Sequence, residues 1–323
     1  MENIPTIRLE SRDFTVIKPS RLREGKVLHN DTNNLYARLG EKEITLEEQI
    51  HTTALRKKGF PVPEVIYSGN YGDEWYFIEK SLGKVPFHKL FVEEYQASGS
   101  VSNTSFKKYL DVIKRYSLAQ MHPKNTTDVS AEAFVTALIP RERVIPSYAY
   151  FKHDVKKYEQ AIEQATARLS DAHMGILQFD LNPYNILENG IIDFELVGYG
   201  PVGYDSLMSA IWAGTWFTNY PSRYPIGYRL TDQQVEQNRQ RIDRLAETHG
   251  YPKPSNYLNE FLLLKCAWAA SGFYPPQPDW PNDKIAFKRF RTNVLKSAID
   301  EYLAGNDIPY QLFPTISGGE IDV

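Results

Sequence analysis

Cysteine is all but missing from this chain. Cys266 is the only one in 323 residues, so no intramolecular disulfide can form. A charge surplus is missing as well: 37 Lys and Arg stand against 40 Asp and Glu, and a formal net charge of −3 argues against a nucleic-acid partner. Long apolar runs are absent too. The most apolar stretch, Phe261 to Tyr274, is interrupted by Lys265 and falls short of the roughly 18 residues that a membrane span needs, so it predicts a buried helix and no membrane partner. The opening Met-Glu-Asn-Ile-Pro has no basic segment followed by an apolar one, which leads to the expectation of a cytoplasmic protein. The 7 histidines form no metal-ligand spacing with Cys266 or with one another, no repeat or low-complexity tract is visible, and no protein partner is evident.

What is present suffices for a packed globular protein: 42% of the residues are apolar. The length exceeds the roughly 250 to 300 residues at which a single core tends to split, so two lobes are expected. The first, up to about residue 83, reads as rich in strands. The second reads as mainly helical, with helices near 105–122, 150–171, 204–216, 231–249, 255–271 and 284–304.

The most informative segment runs from Leu177 to Glu195 and carries Asp180, Asn185 and Asp193. An Asp followed five positions later by an Asn is the arrangement a kinase catalytic loop uses, the Asp taking the acceptor hydroxyl's proton and the Asn binding Mg²⁺. Asn189-Gly190 between apolar runs predicts a two-residue hairpin turn that pairs Glu188 with Ile191, Leu187 with Ile192 and Ile186 with Asp193. Asn185 and Asp193 would then meet at the open end of the hairpin. Pro183 disfavours helix at Asn182 and keeps residues 180–185 as a loop. One carboxylate and one amide suit Mg²⁺, which collects its other ligands from water and nucleotide phosphates.

These residues resemble the aminoglycoside phosphotransferase and choline kinase family, whose signature reads approximately His-Gly-Asp-x-x-x-x-Asn-Ile-Leu followed by Ile-Asp-Phe/Trp-Glu. Here Gln178 stands at the usual His, Phe179 at the usual Gly and Asn182 at a second His, while Asp180, Asn185 and Asp193 are kept. The resemblance implies an α+β, bilobal protein-kinase-like fold. A small antiparallel-sheet N-lobe over residues 1–83 would cover the nucleotide, and a larger, mainly helical C-lobe over 84–323 would hold the catalytic loop, metal site and acceptor pocket. It further implies ATP and Mg²⁺ as cofactors, with Asn185 and Asp193 at the metal and Asp180 as catalytic base.

The same resemblance assigns residues in the first lobe. Strands at 27–28 and 35–39, joined by a polar turn at 29–34, would form a hairpin over the phosphates. Arg38 matches the family's phosphate-binding lysine, and Glu48 its partner on the following helix, with Glu47 as a substitute. That helix is expected to begin at Thr45 with a Thr-x-x-Glu capping box and to end at Gly59. Strands near 65–68 and 75–80 lead to Glu79 and Ser81, where the nucleotide base would bond to backbone.

In the second lobe, His122 reads as a packed helix-end residue and Asp205 as a helix cap and loop anchor. The acids Asp300, Glu301, Asp307, Glu320 and Asp322 would favour a cationic acceptor unless they form a solvated tail, and Trp212, Trp216, Trp268 and Trp280 an aromatic pocket unless they pack in the core. The function expected is transfer of a phosphoryl group from ATP to a hydroxyl of a small molecule, like an aminoglycoside, amino alcohol or sugar. The alternative is a nucleotide-binding or regulatory module that has lost efficient transfer, motivated by Arg38, Gln178 and Phe179. Phosphorylation of protein side chains is less favoured, because no Ala-Pro-Glu pattern follows Asp193.

Overall fold

The computed structural model describes residues 5–19, 25–194, 197–215, 227–272, 276–277 and 279–316. The first lobe is one six-stranded antiparallel sheet. Its strands are β1 (Thr6–Leu9), β2 (Arg12–Pro19), β3 (Gly25–Asn30) and β4 (Leu35–Glu41), then, after helix α1 (Lys42–Lys57), β5 (Val65–Tyr71) and β6 (Glu74–Lys80), in the order β1-β2-β3-β4-β6-β5. Period-two alternation sorts the side chains. Leu28, Leu35, Ala37, Leu39, Tyr76 and Ile78 form one buried cluster with Leu9 and Phe14, while Tyr36, Arg38 and Glu79 face the other way.

Two expectations for this lobe need correction. Helix α1 starts at Lys42, directly out of β4, and Thr45 lies buried inside it, so the expected capping box is absent; Glu41 is the N-cap and makes no side-chain cap bond. The turn joining β3 and β4, expected over the phosphates, lies against the segment that follows β6. Its Asn34 carbonyl accepts from the Ser81 amide (3.2 Å), which puts it beside the segment that links the two lobes.

The second lobe is mainly helical: α2 (Phe87–Ser98), α3 (Asn103–Gln120), α4 (Ala131–Leu138), α5 (Arg141–Tyr150), α6 (Val155–Arg168), α7 (Tyr204–Thr215), α8 (Asp232–Thr248), α9 (Leu258–Ser271) and α10 (Asn282–Leu303). Four of them start at Ser, Thr or Asp residues whose side chains accept from the first turn: Ser102, Ser130, Asp154 and Thr231. Helix α9 is apolar nearly all round and lies at the centre, packed against α5, α6, α7 and α10. The short strands β7 (Thr126–Thr127), β8 (Met174–Leu177) and β11 (Gly198–Pro201) form a small sheet, and β9 (Ile186–Leu187) pairs with β10 (Gly190–Ile191). Among the described residues, no helix is long and apolar enough to cross a membrane.

The β9-β10 pairing corrects a third expectation. Leu187 faces Gly190 and Ile186 faces Ile191, displaced by two residues from the register expected, so Glu188 and Asn189 make the turn. Neither Asn189 nor Gly190 has the positive φ that a type I′ turn requires. Gly190 is there for close approach: a Cβ on it would lie 2.1 Å from the Pro61 carbonyl oxygen. The first lobe and the linker hold this hairpin through Ile191 N–H to Pro61 O (2.7 Å) and Asn189 N–H to Leu82 O (2.9 Å). A displacement of two keeps every side chain on its expected face, and the Ile192 amide donates to the Asn185 carbonyl (2.9 Å), which sets Asn185 against the residue just before Asp193.

Candidate active site

The catalytic loop leaves β8 at Gln178 and enters β9 at Asn185. The Asp205 carboxylate on α7 holds its entry, accepting from the Gln178 amide (2.7 Å) and the Tyr116 hydroxyl (2.6 Å). Burial pushes this carboxyl up, and bonds from Tyr116 and the backbone oppose that rise. Within the loop, the Asn182 side-chain amide donates to the Asp180 carbonyl and to Asp180 Oδ1 (both 3.0 Å), and its own oxygen accepts from the Tyr184 amide (2.9 Å). Helix α2 braces the far side: the His88 amide donates to the Pro183 carbonyl, and the His88 ring stacks on Tyr184 at 3.5 Å.

Asn185 is buried, and its Nδ2 donates to the Asp180 carbonyl (3.2 Å), which leaves Oδ1 as the atom a cation could take; Asp193 is exposed. Burial pushes the Asp180 carboxyl up, the Asp193 charge adds to this, and Lys265, Asn182 and Arg291 oppose it. The three residues picked from sequence are thus one neighbourhood. A carboxylate and an amide oxygen at a solvent-facing mouth make an all-oxygen donor set that fits Mg²⁺.

In the first lobe, Arg38 on β4 lies between two carboxylates: Glu48 Oε1 of α1 is 3.8 Å from its Nε and Glu79 Oε1 of β6 is 3.9 Å. These are ion pairs too long to be hydrogen bonds. Glu48, rather than the exposed Glu47, faces the guanidinium. Glu79, expected to matter only through its backbone, brings a buried side chain. Burial pushes it up to about 7, with Arg38 pulling down and Glu48 pushing up. Ser81 follows in the linker, where its hydroxyl contacts both the amide and the carbonyl of Gly83 (3.1 Å).

Residues 35–245 match the sequence profile of the phosphotransferase enzyme family, a span that takes in Arg38, Asp180, Asn185 and Asp193. The chain belongs to this family. The phosphotransferase also superposes on a thermostable mutant of aminoglycoside phosphotransferase APH(4)-Ia solved in ternary complex with AMP-PNP and hygromycin B, with a TM-score of 0.54 and 13% identity over 91% of this chain and 95% of that one. A second mutant of the same enzyme, in ternary complex with ADP and hygromycin B, gives a TM-score of 0.53 and 11% identity over 89% of this chain and 93% of that one. At such identities the likeness establishes the bilobal kinase-like fold alone. No curated protein sequence matches the chain.

The phosphotransferase accommodates its departures from the signature. Gln178 uses its side-chain amide to donate to the Ile192 (2.8 Å) and Asp193 (2.6 Å) carbonyls, which fixes the backbone of Asp193 in its left-handed conformation, φ 67°. Phe179, where the family has Gly, takes φ 63°. Its ring fits because Gly198 has no side chain; a Cβ there would lie 2.4 Å from the ring. Sequence reasoning passed over Lys265 of α9, whose Nζ donates to the Phe179 carbonyl (3.0 Å). The one available signal was a charge inside an otherwise apolar run.

The other candidates have the following surroundings. His122 is exposed rather than packed. Trp268 stands on α9 with the Lys265 ammonium over its ring at 3.7 Å, and Lys284 covers Trp280 at 3.6 Å. The Trp212 side chain, Trp216, Glu320 and Asp322 lie outside the described residues. The described acids of the C-terminal segment are taken up locally: Asp300 by Lys157 and Lys296, Glu301 by Asn306 and Asp307 by Asn259.

Proposed function

We propose that this phosphotransferase moves the γ-phosphoryl group of ATP to a hydroxyl of a small molecule, with residues 1–83 over the nucleotide and 84–323 carrying the acceptor. Asp180 orients the acceptor hydroxyl and takes its proton; Arg38, positioned by Glu48 and Glu79, binds phosphate oxygens; the linker at Glu79 to Ser81 meets the base. Asn185 and Asp193 would hold Mg²⁺, which when bound neutralises charge on the phosphates. The observation that supports this reading best is the direct link between Asp180 and Asn185, with Asp193 close enough to act on the Asp180 carboxyl.

Because Asp300, Glu301 and Asp307 are engaged with their own neighbours, they offer no support for a cationic acceptor, and the acceptor is assigned only as a small hydroxyl compound. The test is incubation with ATP and Mg²⁺ against aminoglycosides, macrolides, choline, ethanolamine, homoserine and sugars. Asp180→Ala should lower turnover on the acceptor found by about 10²- to 10⁴-fold while leaving nucleotide affinity nearly unchanged. Undiminished turnover removes Asp180 as base, and a wild-type protein that phosphorylates nothing favours the regulatory-module alternative.

A further inference from the structure

Lys265 is the only charged residue from Phe261 to Ser271, and it is almost fully buried in the central helix. Packing gives no reason for an ammonium there. Burial pulls its pKa down, the charges of Asp180 and Asp205 pull it back up, and an apolar side chain of similar length would fill the space without any desolvation cost. What the ammonium provides is a charge over the Trp268 ring and a donor to the Phe179 carbonyl at 3.0 Å, and of these two contacts the carbonyl one touches the loop.

That carbonyl belongs to the residue just before Asp180, held in a left-handed conformation in which a side chain costs about 1 to 3 kcal/mol. Such a conformation persists only where its surroundings over-determine it. Asp205 grips the entering peptide through the Gln178 amide, Gly198 and Phe134 bound the Phe179 ring, and Lys265 grips the leaving peptide through the carbonyl. Freeing the last grip lets the 179–180 peptide rotate, which swings the Asp180 side chain.

We propose that Lys265 is a positioning residue for phosphoryl transfer: by holding the Phe179 carbonyl it aims Asp180 at the acceptor hydroxyl. This deepens the kinase reading above and rests on it. Lys265→Met, which lacks the donor, and Lys265→Arg, which keeps it, are compared in steady-state kinetics, thermal unfolding and hydrogen exchange. The expected result is a fall in kcat of about a hundredfold for Lys265→Met, since displacement by about 1 Å carries such a loss. KM for ATP stays within about twofold, and Lys265→Arg recovers at least tenfold of the loss. Should the Met variant not fold, Lys265→Leu, which also lacks the donor, takes its place under the same readings. A kcat within threefold of wild type, or a loss shared equally by KM and the unfolding midpoint, overturns the proposal. If the wild-type protein transfers phosphate to nothing, the kinase reading fails by itself. The positioning claim is then judged by exchange in residues 178–185, faster in the Met variant if it holds and unchanged if it does not.

Discussion

Glu79→Gln isolates the electrostatics of the first lobe. Glu79 is buried at the end of β6, opposite Tyr36, and shares the Arg38 guanidinium with Glu48. Its carboxyl is pushed from the ordinary 4.5 up to about 7, so the folded protein holds this proton more tightly than the unfolded chain does. The stability linked to that proton is fully present below the unfolded value of 4.5 and is lost as pH rises through about 7. Over the interval from about pH 5.5 to about pH 8.5, linkage gives a loss of about 2 kcal/mol in the wild-type protein that a glutamine cannot show. Urea unfolding of both proteins, followed by tryptophan fluorescence across this interval, measures the difference directly. Every other titrating group is common to the two proteins and cancels. Parallel stability profiles would refute the reasoning, and so would a wild-type protein that gains stability on the variant as pH rises. The variant should also bind nucleotide with less pH dependence, because Arg38 then faces one ionisable carboxylate at every pH.

Two further changes test how the loop is held. Gly190→Ala places a methyl group against the Pro61 carbonyl, and the shift it forces should cost about 1 to 3 kcal/mol in denaturant unfolding and weaken the Ile191 to Pro61 hydrogen bond, read as faster amide exchange at Ile191. Tyr116→Phe removes a hydroxyl that donates to the buried Asp205 carboxylate at 2.6 Å and should cost about 1.5 to 3 kcal/mol in the same assay; a loss below about half a kcal/mol would show that Asp205 is satisfied without it.

The chemistry-bearing loop was legible because its signals are local: the five-residue spacing from Asp180 to Asn185, Pro183 against helix, and two apolar runs around a turn. The register was not, because Gly190 serves a contact with Pro61, a residue far away in sequence, and the same glycine reads locally as turn chemistry. The Thr45 cap failed for a similar reason. A good capping pattern lost to a helix that begins three residues earlier, straight out of a strand. Sequence could say that β3 and β4 form a hairpin but not which end of it faces the cleft, since that depends on the pairing of β4 with β6 and on the Asn34 contact with Ser81. The edge strand β1, its neighbour β2 and helices α2, α4 and α5 were not anticipated at all.

Gln178 and Phe179 show why departures from a signature are poor evidence of lost activity until the contacts are known. Each removes one device and meets another. At the histidine position, Gln178 uses the two hydrogens of its side-chain amide to fix the backbone around Asp193. The glycine position needs a left-handed residue, and Phe179 meets that need at a steric cost offset by a pocket opened at Gly198 and by grips from Asp205 and Lys265. Such compensation is testable by its direction. If Phe179 had merely degraded a working loop, returning glycine there should raise turnover, whereas in a loop rebuilt around the ring the same change empties the space beside Gly198 and Phe134 and lowers it. The contacts of Phe179 favour the second outcome, with Asp180 held by Asn182 and Asn185 in the loop so rebuilt.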